Sequence, residues 1–165
     1  MNGFVAYPHA ALSRAATPRP LDDAMLQAGE RLLAAAKEAQ AYGLASAHLG
    51  ENEPLIVMSM ASDPAQRDYR LLFNPEIVAV AEEMASGPEG SVSMPGIEVA
   101  VQRPVWAEIA YDGADGVRQH ERLEGFVARV ALHEIEQVNG VFFLSRLSRL
   151  KRDAALRKFD KSRRA

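Results

Sequence analysis

His133, Glu134 and Gln137 stand at positions i, i+1 and i+4 of a largely apolar stretch. On a helix this spacing puts all three on one side. An imidazole next to a carboxylate can move protons or hold a metal ion, and the amide adds a neutral oxygen. The His-Glu pair alone is a weak signal, because the same residue types also form ordinary polar clusters. Ala128, Ala131, Leu132 and Ile135 fall on the other side and can face a core.

The pattern predicts that this helix runs from about Phe126 to Val138, stopped by Asn139-Gly140. An earlier helix is predicted from about Asp22 to Ala41. Asp22 or Asp23 can cap it, Leu26, Leu33 and Ala36 give it helical spacing, and Gly43 ends it. Between the two helices the chain reads as strands: Leu55–Met60, Leu71–Phe73, Glu76–Val80, Val99–Val101, Val105–Tyr111 and Arg118–Leu123. Asn74-Pro75, Gly87-Pro88, Pro95-Gly96 and Asp112-Gly113 separate them. A third, basic helix is predicted over Ser145 to about Phe159. Strands enclosed by helices imply an α+β domain with an antiparallel or mixed sheet.

At 165 residues, 48% hydrophobic and 25% charged, the chain suits one globular domain that buries a core without disulfides or metal. It contains no cysteine, which excludes disulfides and thiolate metal sites. No run is long and apolar enough to span a bilayer. Met1 to Arg14 lacks the basic start and apolar stretch of a signal peptide, so a cytoplasmic location is expected. Residues 146–165 carry nine Lys/Arg and two Asp, a balance of +7 that leaves −10 on the rest of a chain whose net charge is −3. Such a segment is either the solvated end of an amphipathic helix or a contact for an acidic partner such as RNA.

Three segments, taken in order, are more specific. They are Gly43-Leu44-Ala45-Ser46-Ala47-His48-Leu49-Gly50, Glu89-Gly90-Ser91-Val92-Ser93-Met94-Pro95-Gly96, and Leu132-His133-Glu134-Ile135-Glu136-Gln137-Val138-Asn139-Gly140. They resemble the three motifs of the peptide deformylases, GxGLAAxQ, EGCLS and QHExDHLxG. Tyr7-Pro8 through Leu12, Asn74-Pro75, Arg103, Gly125 and Ala128-Arg129 also match, so the resemblance covers roughly residues 4 to 150. It implies a deformylase-like domain over 1–150, with sheets around a central helix that carries the HExxH-derived motif. A basic helix or tail over 146–165 follows.

The resemblance also implies a reaction, the hydrolytic removal of the formyl group from the N-terminal methionine of new polypeptides. In the family, iron or zinc is held by the motif-two cysteine and the two histidines of the helix. That metal makes a hydroxide nucleophile at neutral pH. The helix glutamate moves the proton, and the motif-one glutamine helps stabilise the oxyanion. This chain departs from the plan. Ser91 stands at the cysteine position, Gln137 at the second histidine and His48 at the glutamine, while Ala41 and Ser46 replace a glycine and an alanine. His133 and Glu134 are kept. A neutral hydroxyl and an amide oxygen suit a transition metal poorly.

The expectation is therefore a deformylase-like protein with little or no standard activity that binds peptide N-termini or nascent chains. Glu134 and His48 are the candidate catalytic residues, and His133 is the one retained ligand position. Gly43, Leu44, Leu49, Val92 and Met94 are expected to line the peptide site. Glu89 and Arg103 are expected to form a buried pair that fixes the motif-two loop, and Gly90 and Gly96 to allow turns. No cofactor is expected unless His48, His133 and Glu134 rebuild a site for iron or zinc. A metal-free site using Ser91 with a histidine and Glu134 is a further alternative. Otherwise His48 would hydrogen-bond to Glu134 or Ser91. The basic C-terminus could contact RNA or the ribosome; no membrane contact is expected, and the oligomeric state stays open.

Overall fold

The first helix, α1 (Asp23–Ala39), starts where Asp22 Oδ1 accepts the Met25 N–H at 2.8 Å. It ends four residues before the glycine expected to stop it. Gln40 takes the left-handed conformation at φ 53° and donates its side-chain amide to Lys37 O. Gly43 instead opens the first strand. The structure, a computed structural model, describes residues 3–164.

The strands are β1 (Gly43–Ala45), β2 (Leu55–Ser59), β3 (Tyr69–Val80), β4 (Met84–Glu89), β5 (Val99–Pro104), β6 (Trp106–Asp112) and β7 (Arg118–Glu124). Five form a sheet in the order β1-β2-β3-β6-β7, and β4 pairs with β5 in a separate ribbon. Every strand pair among the described residues is antiparallel.

Two expected breaks lie inside strands. Asn74-Pro75 does not divide β3. Asn74 sits at φ 48° in a bulge, and its side chain bonds to Arg19 and to Asp112 Oδ2. A bulge absorbs a proline that a regular ladder would not. Gly87-Pro88 lies within β4, which the sequence pattern does not reveal. In a two-stranded ribbon each strand has an unpaired edge, so a proline there forfeits little.

Alternation along β2 explains its continuous apolar run. Leu55 and Val57 pack with Met25, Leu32 and Phe73 on the α1 side. Ile56 and Met58 pack with Ala128, Ala131 and Ile135 of the second helix, α2 (Gly125–Val138). The sheet is thus covered by α1 on one face and α2 on the other. Eleven of the fourteen α2 residues are buried, including His133, Glu134, Glu136 and Gln137. The polar side of this helix is interior, not solvent-facing.

The last helix, α3 (Arg149–Arg163), begins later than expected because Phe143–Arg146 forms its own 3-10 turn and Ser148 caps the helix. Its Ala155 and Phe159 are buried with Met94, Val101, Phe143 and Leu147. The basic segment is therefore a packed part of the same core and not a free tail. None of the described helices is long and apolar enough to cross a membrane.

Candidate functional site

A pocket of about 610 Å³ opens between the end of β4, the start of β1 and the outer side of α2. Its floor is held by Glu89. Arg103 Nε and Nη2 donate to the two Glu89 oxygens at 2.9 Å each, in the side-on bidentate geometry that guanidinium favours. Arg129 Nη1 adds a third donor at 2.8 Å, and His133 Nδ1 lies 2.8 Å from Glu89 Oε1. Arg103 also pairs with Glu136, which in turn meets Arg146. Burial alone would raise the Glu89 carboxyl, but the hydrogen bonds from His133 and Arg103 outweigh it and hold it down at about 2.

The His133–Glu89 bond fixes the ring by Nδ1 and leaves Nε2 for the pocket that His133 lines. Burial pushes the His133 imidazolium down, yet the carboxylates of Glu134 and Glu89 more than offset it and the net shift is upward. Glu134 has no such anchor. Its Oε1 is buried without a hydrogen-bond partner among the described residues, and burial pushes the carboxyl up to about 7, against the opposing pull of His133.

His48 differs from expectation. It does not hydrogen-bond to Glu134 or Ser91. In the 3-10 turn Ser46–Leu49 its Nδ1 swings back to accept the Ala45 N–H at 3.0 Å, a partner only three residues away. Glu134 Oε1 lies 3.8 Å from the same Nδ1. That contact is no ion pair, because burial, aided by His133, holds His48 neutral with a pKa of about 3. With Nδ1 accepting, the neutral ring carries its proton on Nε2, and this donor has no partner among the described residues.

Ser91 and Gln137 each make one hydrogen bond to the backbone, while Gln137 Oε1 is buried with no partner among the described residues. Ser91 Oγ accepts the Ser93 N–H at 3.1 Å, and among the described residues no hydrogen bond joins it to a histidine or to Glu134. A Ser-His-Glu relay is therefore not assembled. Gln137 is fully buried, and its Nε2 donates to Leu12 O at 2.7 Å. It ties the turn Ala10–Ser13 to α2 and does not line the pocket. Among the described residues no group of three or more His, Cys, Asp or Glu is placed to hold a metal ion, and the trio His48, His133 and Glu134 is no exception.

Of the expected peptide-site residues, Gly43 and Val92 line the pocket, together with His48, Ser91, His133 and Glu134. Leu44, Leu49 and Met94 do not. Strand alternation turns Leu44 into the α1 core while its neighbour Gly43 faces Glu134, whose Cγ would lie 2.8 Å from a Cβ at that position. Leu49 packs on the same α1 cluster, and Met94 is fully buried against Phe143. Gly96 has φ 82°, whereas Gly90 is needed because a Cβ there would meet Ile97 O at 2.8 Å. The sequence reading overlooked the wall made by Phe126, Arg129 and Val130. They stand one and two turns ahead of His133 on the same helix side, so the spacing that grouped His133 with Gln137 could have found them.

Comparison with known proteins agrees with this architecture. The family model for polypeptide deformylase matches residues 1–153. A peptide deformylase-like protein of Rhizobium meliloti (strain 1021) is 40% identical over 144 residues, covering 87% of this chain and 82% of the relative. A peptide deformylase of Agrobacterium fabrum is 32% identical over 145 residues, covering 88% and 85%. The crystal structure of peptide deformylase from Ehrlichia chaffeensis superposes with a TM-score of 0.89 at 26% identity, covering 98% of this chain and 96% of that one. With all three motif segments gathered around one pocket, the chain belongs to the polypeptide deformylase family.

Proposed function

We propose that this protein uses the deformylase fold to bind peptide N-termini and has little or no standard metal-dependent deformylase activity. The carrying observation is the state of the three positions where the family holds its metal. His133 keeps a ring nitrogen toward the pocket. Ser91 presents a neutral hydroxyl already bonded to the Ser93 N–H, and Gln137, which does not line the pocket, is oriented by the bond from its Nε2 to Leu12 O and offers only a neutral amide oxygen. One imidazole and an uncharged oxygen do not fit iron or zinc, which take three strong protein ligands in catalytic sites.

What remains suits recognition of a peptide end. Strand β1 is an edge of the five-stranded sheet beside the pocket, so its outward backbone groups, apart from the Ala45 N–H already given to His48 Nδ1, can pair with an extended peptide. His48 Nε2–H is a neutral donor for a carbonyl oxygen. Glu134, with its pKa near 7, can accept from or donate to the ligand's first amide.

The test combines metal analysis of protein purified with iron and zinc available, turnover of a formyl-methionyl peptide, and calorimetric titration with that peptide. Peptide binding without stoichiometric metal or turnover is expected. One metal per chain with robust turnover would refute the reading.

A second reading rests on Glu134, which is retained and buried without a partner. In it the protein hydrolyses amides through a remodelled site. Hydrolysis that survives Glu134→Gln unchanged would remove it.

A third reading concerns α3, whose exposed Arg157, Lys158 and Lys161 offer a basic surface to RNA or the ribosome. Such binding would weaken steeply with salt.

A further inference from the structure

The carboxylates on the pocket lining are unevenly served. Glu89 bonds to Arg103, Arg129 and His133, so the guanidinium and the imidazole that line the pocket beside it are already engaged. Glu134 hydrogen-bonds to none of these. Its side chain is only 7% exposed, and among the described residues its Oε1 meets no donor. Gly43 leaves room at the other oxygen, since a Cβ there would lie 3.2 Å from Oε2. Glu98, exposed at the pocket mouth, makes no ion pair among the described residues. A carboxylate taken out of water without a cation or donors is costly, so this site gains most from a ligand that brings positive charge.

The neighbouring group is a neutral donor. His48 is buried, and its Nε2–H has no partner among the described residues. Its ring stands beside the Glu134 carboxylate, with Nδ1 and Oε1 3.8 Å apart, and both residues line the pocket. The start of an unmodified peptide carries the matching pair. Its α-ammonium has three N–H donors, and the carbonyl oxygen of the same residue lies about 3 Å away. A formyl group on that nitrogen removes the charge and leaves a single N–H, and a neutral donor is about half as strong toward a carboxylate.

We propose that the pocket selects a free α-ammonium peptide terminus over a formylated one, with the ammonium on Glu134 and the first carbonyl oxygen on the His48 Nε2–H. The assignment rests on the reading that the pocket holds a peptide N-terminus without a metal. Such a terminus is what hydrolytic removal of a formyl group leaves behind. The protein then recognises the outcome of that reaction, supplied by a separate hydrolase, and does not carry it out.

The test is calorimetric titration of the full chain at pH 7 with two Met-Ala-Ser peptides, both amidated at the C-terminus, one with a free amino group and one formylated. The free amine is expected to bind about tenfold more tightly. Glu134→Gln keeps the shape of the side chain and removes its charge. It is expected to cut the preference to below about threefold with unchanged circular dichroism, whereas Glu98→Gln at the mouth should change it less than about twofold. Equal or tighter binding of the formyl peptide overturns the inference and leaves the N-terminus reading standing. So does a preference that survives Glu134→Gln intact. Failure of both peptides to bind overturns both readings.

Discussion

Glu134→Gln is expected to stabilise the protein in a pH-dependent way. The folded protein holds the Glu134 carboxyl at about 7 where the ordinary value is 4.5, mainly because it is buried without a partner. Between pH 4.5 and 7 the unfolded chain has released this proton while the folded chain retains it. Stability therefore falls as pH rises through that window and levels off above it. At about 1.4 kcal/mol per pH unit, the full penalty is about 3 kcal/mol above pH 7. Glutamine matches the shape of the protonated acid and escapes the penalty.

Urea unfolding of both proteins from about pH 5 to pH 8.5 measures this difference. The variant should exceed wild type by about 3 kcal/mol at the alkaline end, and the gap should narrow to below about 1 kcal/mol near pH 5. His133, also raised, loses stability in the same direction as pH rises; because part of its rise comes from the Glu134 carboxylate, the gap between the two proteins reports both groups together. A gap that does not change with pH would refute the argument, because it would place the Glu134 carboxyl in the ordinary range.

Four other outcomes are expected. Wild-type protein should hold far less than one zinc by elemental analysis, while the Ser91→Cys/Gln137→His double variant should take up about one. Gln137→Ala should cost roughly 2–4 kcal/mol in urea unfolding, through a lost buried bond to Leu12 O and the space left behind. Glu89→Gln leaves Arg103, Arg129 and His133 without their shared anion and should cost roughly 3–5 kcal/mol near neutral pH. Because its carboxyl is held at about 2, the Glu89 contribution in wild type is full above pH 4.5 and is lost only as pH falls toward 2. Replacing Arg157, Lys158 and Lys161 with glutamine should abolish any salt-sensitive RNA binding in filter assays without unfolding the protein. Deleting residues 146–165 is a poor test, since it removes Ala155 and Phe159 from the core.

Much of the fold was legible because local rules and tertiary packing agree. The apolar run at Leu55, the strands over Val105–Tyr111 and Arg118–Leu123, and the stop at Asn139-Gly140 all read correctly, as did an α+β arrangement around the helix of His133. The failures fall where tertiary context overrides local chemistry. Asn74-Pro75 and Gly87-Pro88 look like turns, but a bulge and a two-stranded ribbon accommodate them. Gly43 looks like a helix stop, but its missing side chain makes room for Glu134.

In the site, the three motifs identified the segments but not the directions of their side chains. One residue of offset along β1 separates Gly43 in the pocket from Leu44 in the core. The ties from Gln137 to Leu12 and from Arg129 to β4 and β5 span 125 and at least 28 residues of sequence, beyond the reach of periodicity.

The bond from Gln137 to Leu12 also bears on how such a protein can evolve. A histidine at 137 would forfeit the tie before gaining any ligand partner, because Ser91 supplies no thiolate. A cysteine at 91 would add a thiolate beside a single imidazole, with no second ring to complete the set. Each single step backward brings no chemical gain, and the first weakens the attachment of the N-terminal turn. On the function proposed above, the tie to Leu12 entrenches glutamine at 137: epistasis between that position and the backbone it supports makes the way back longer than the way out.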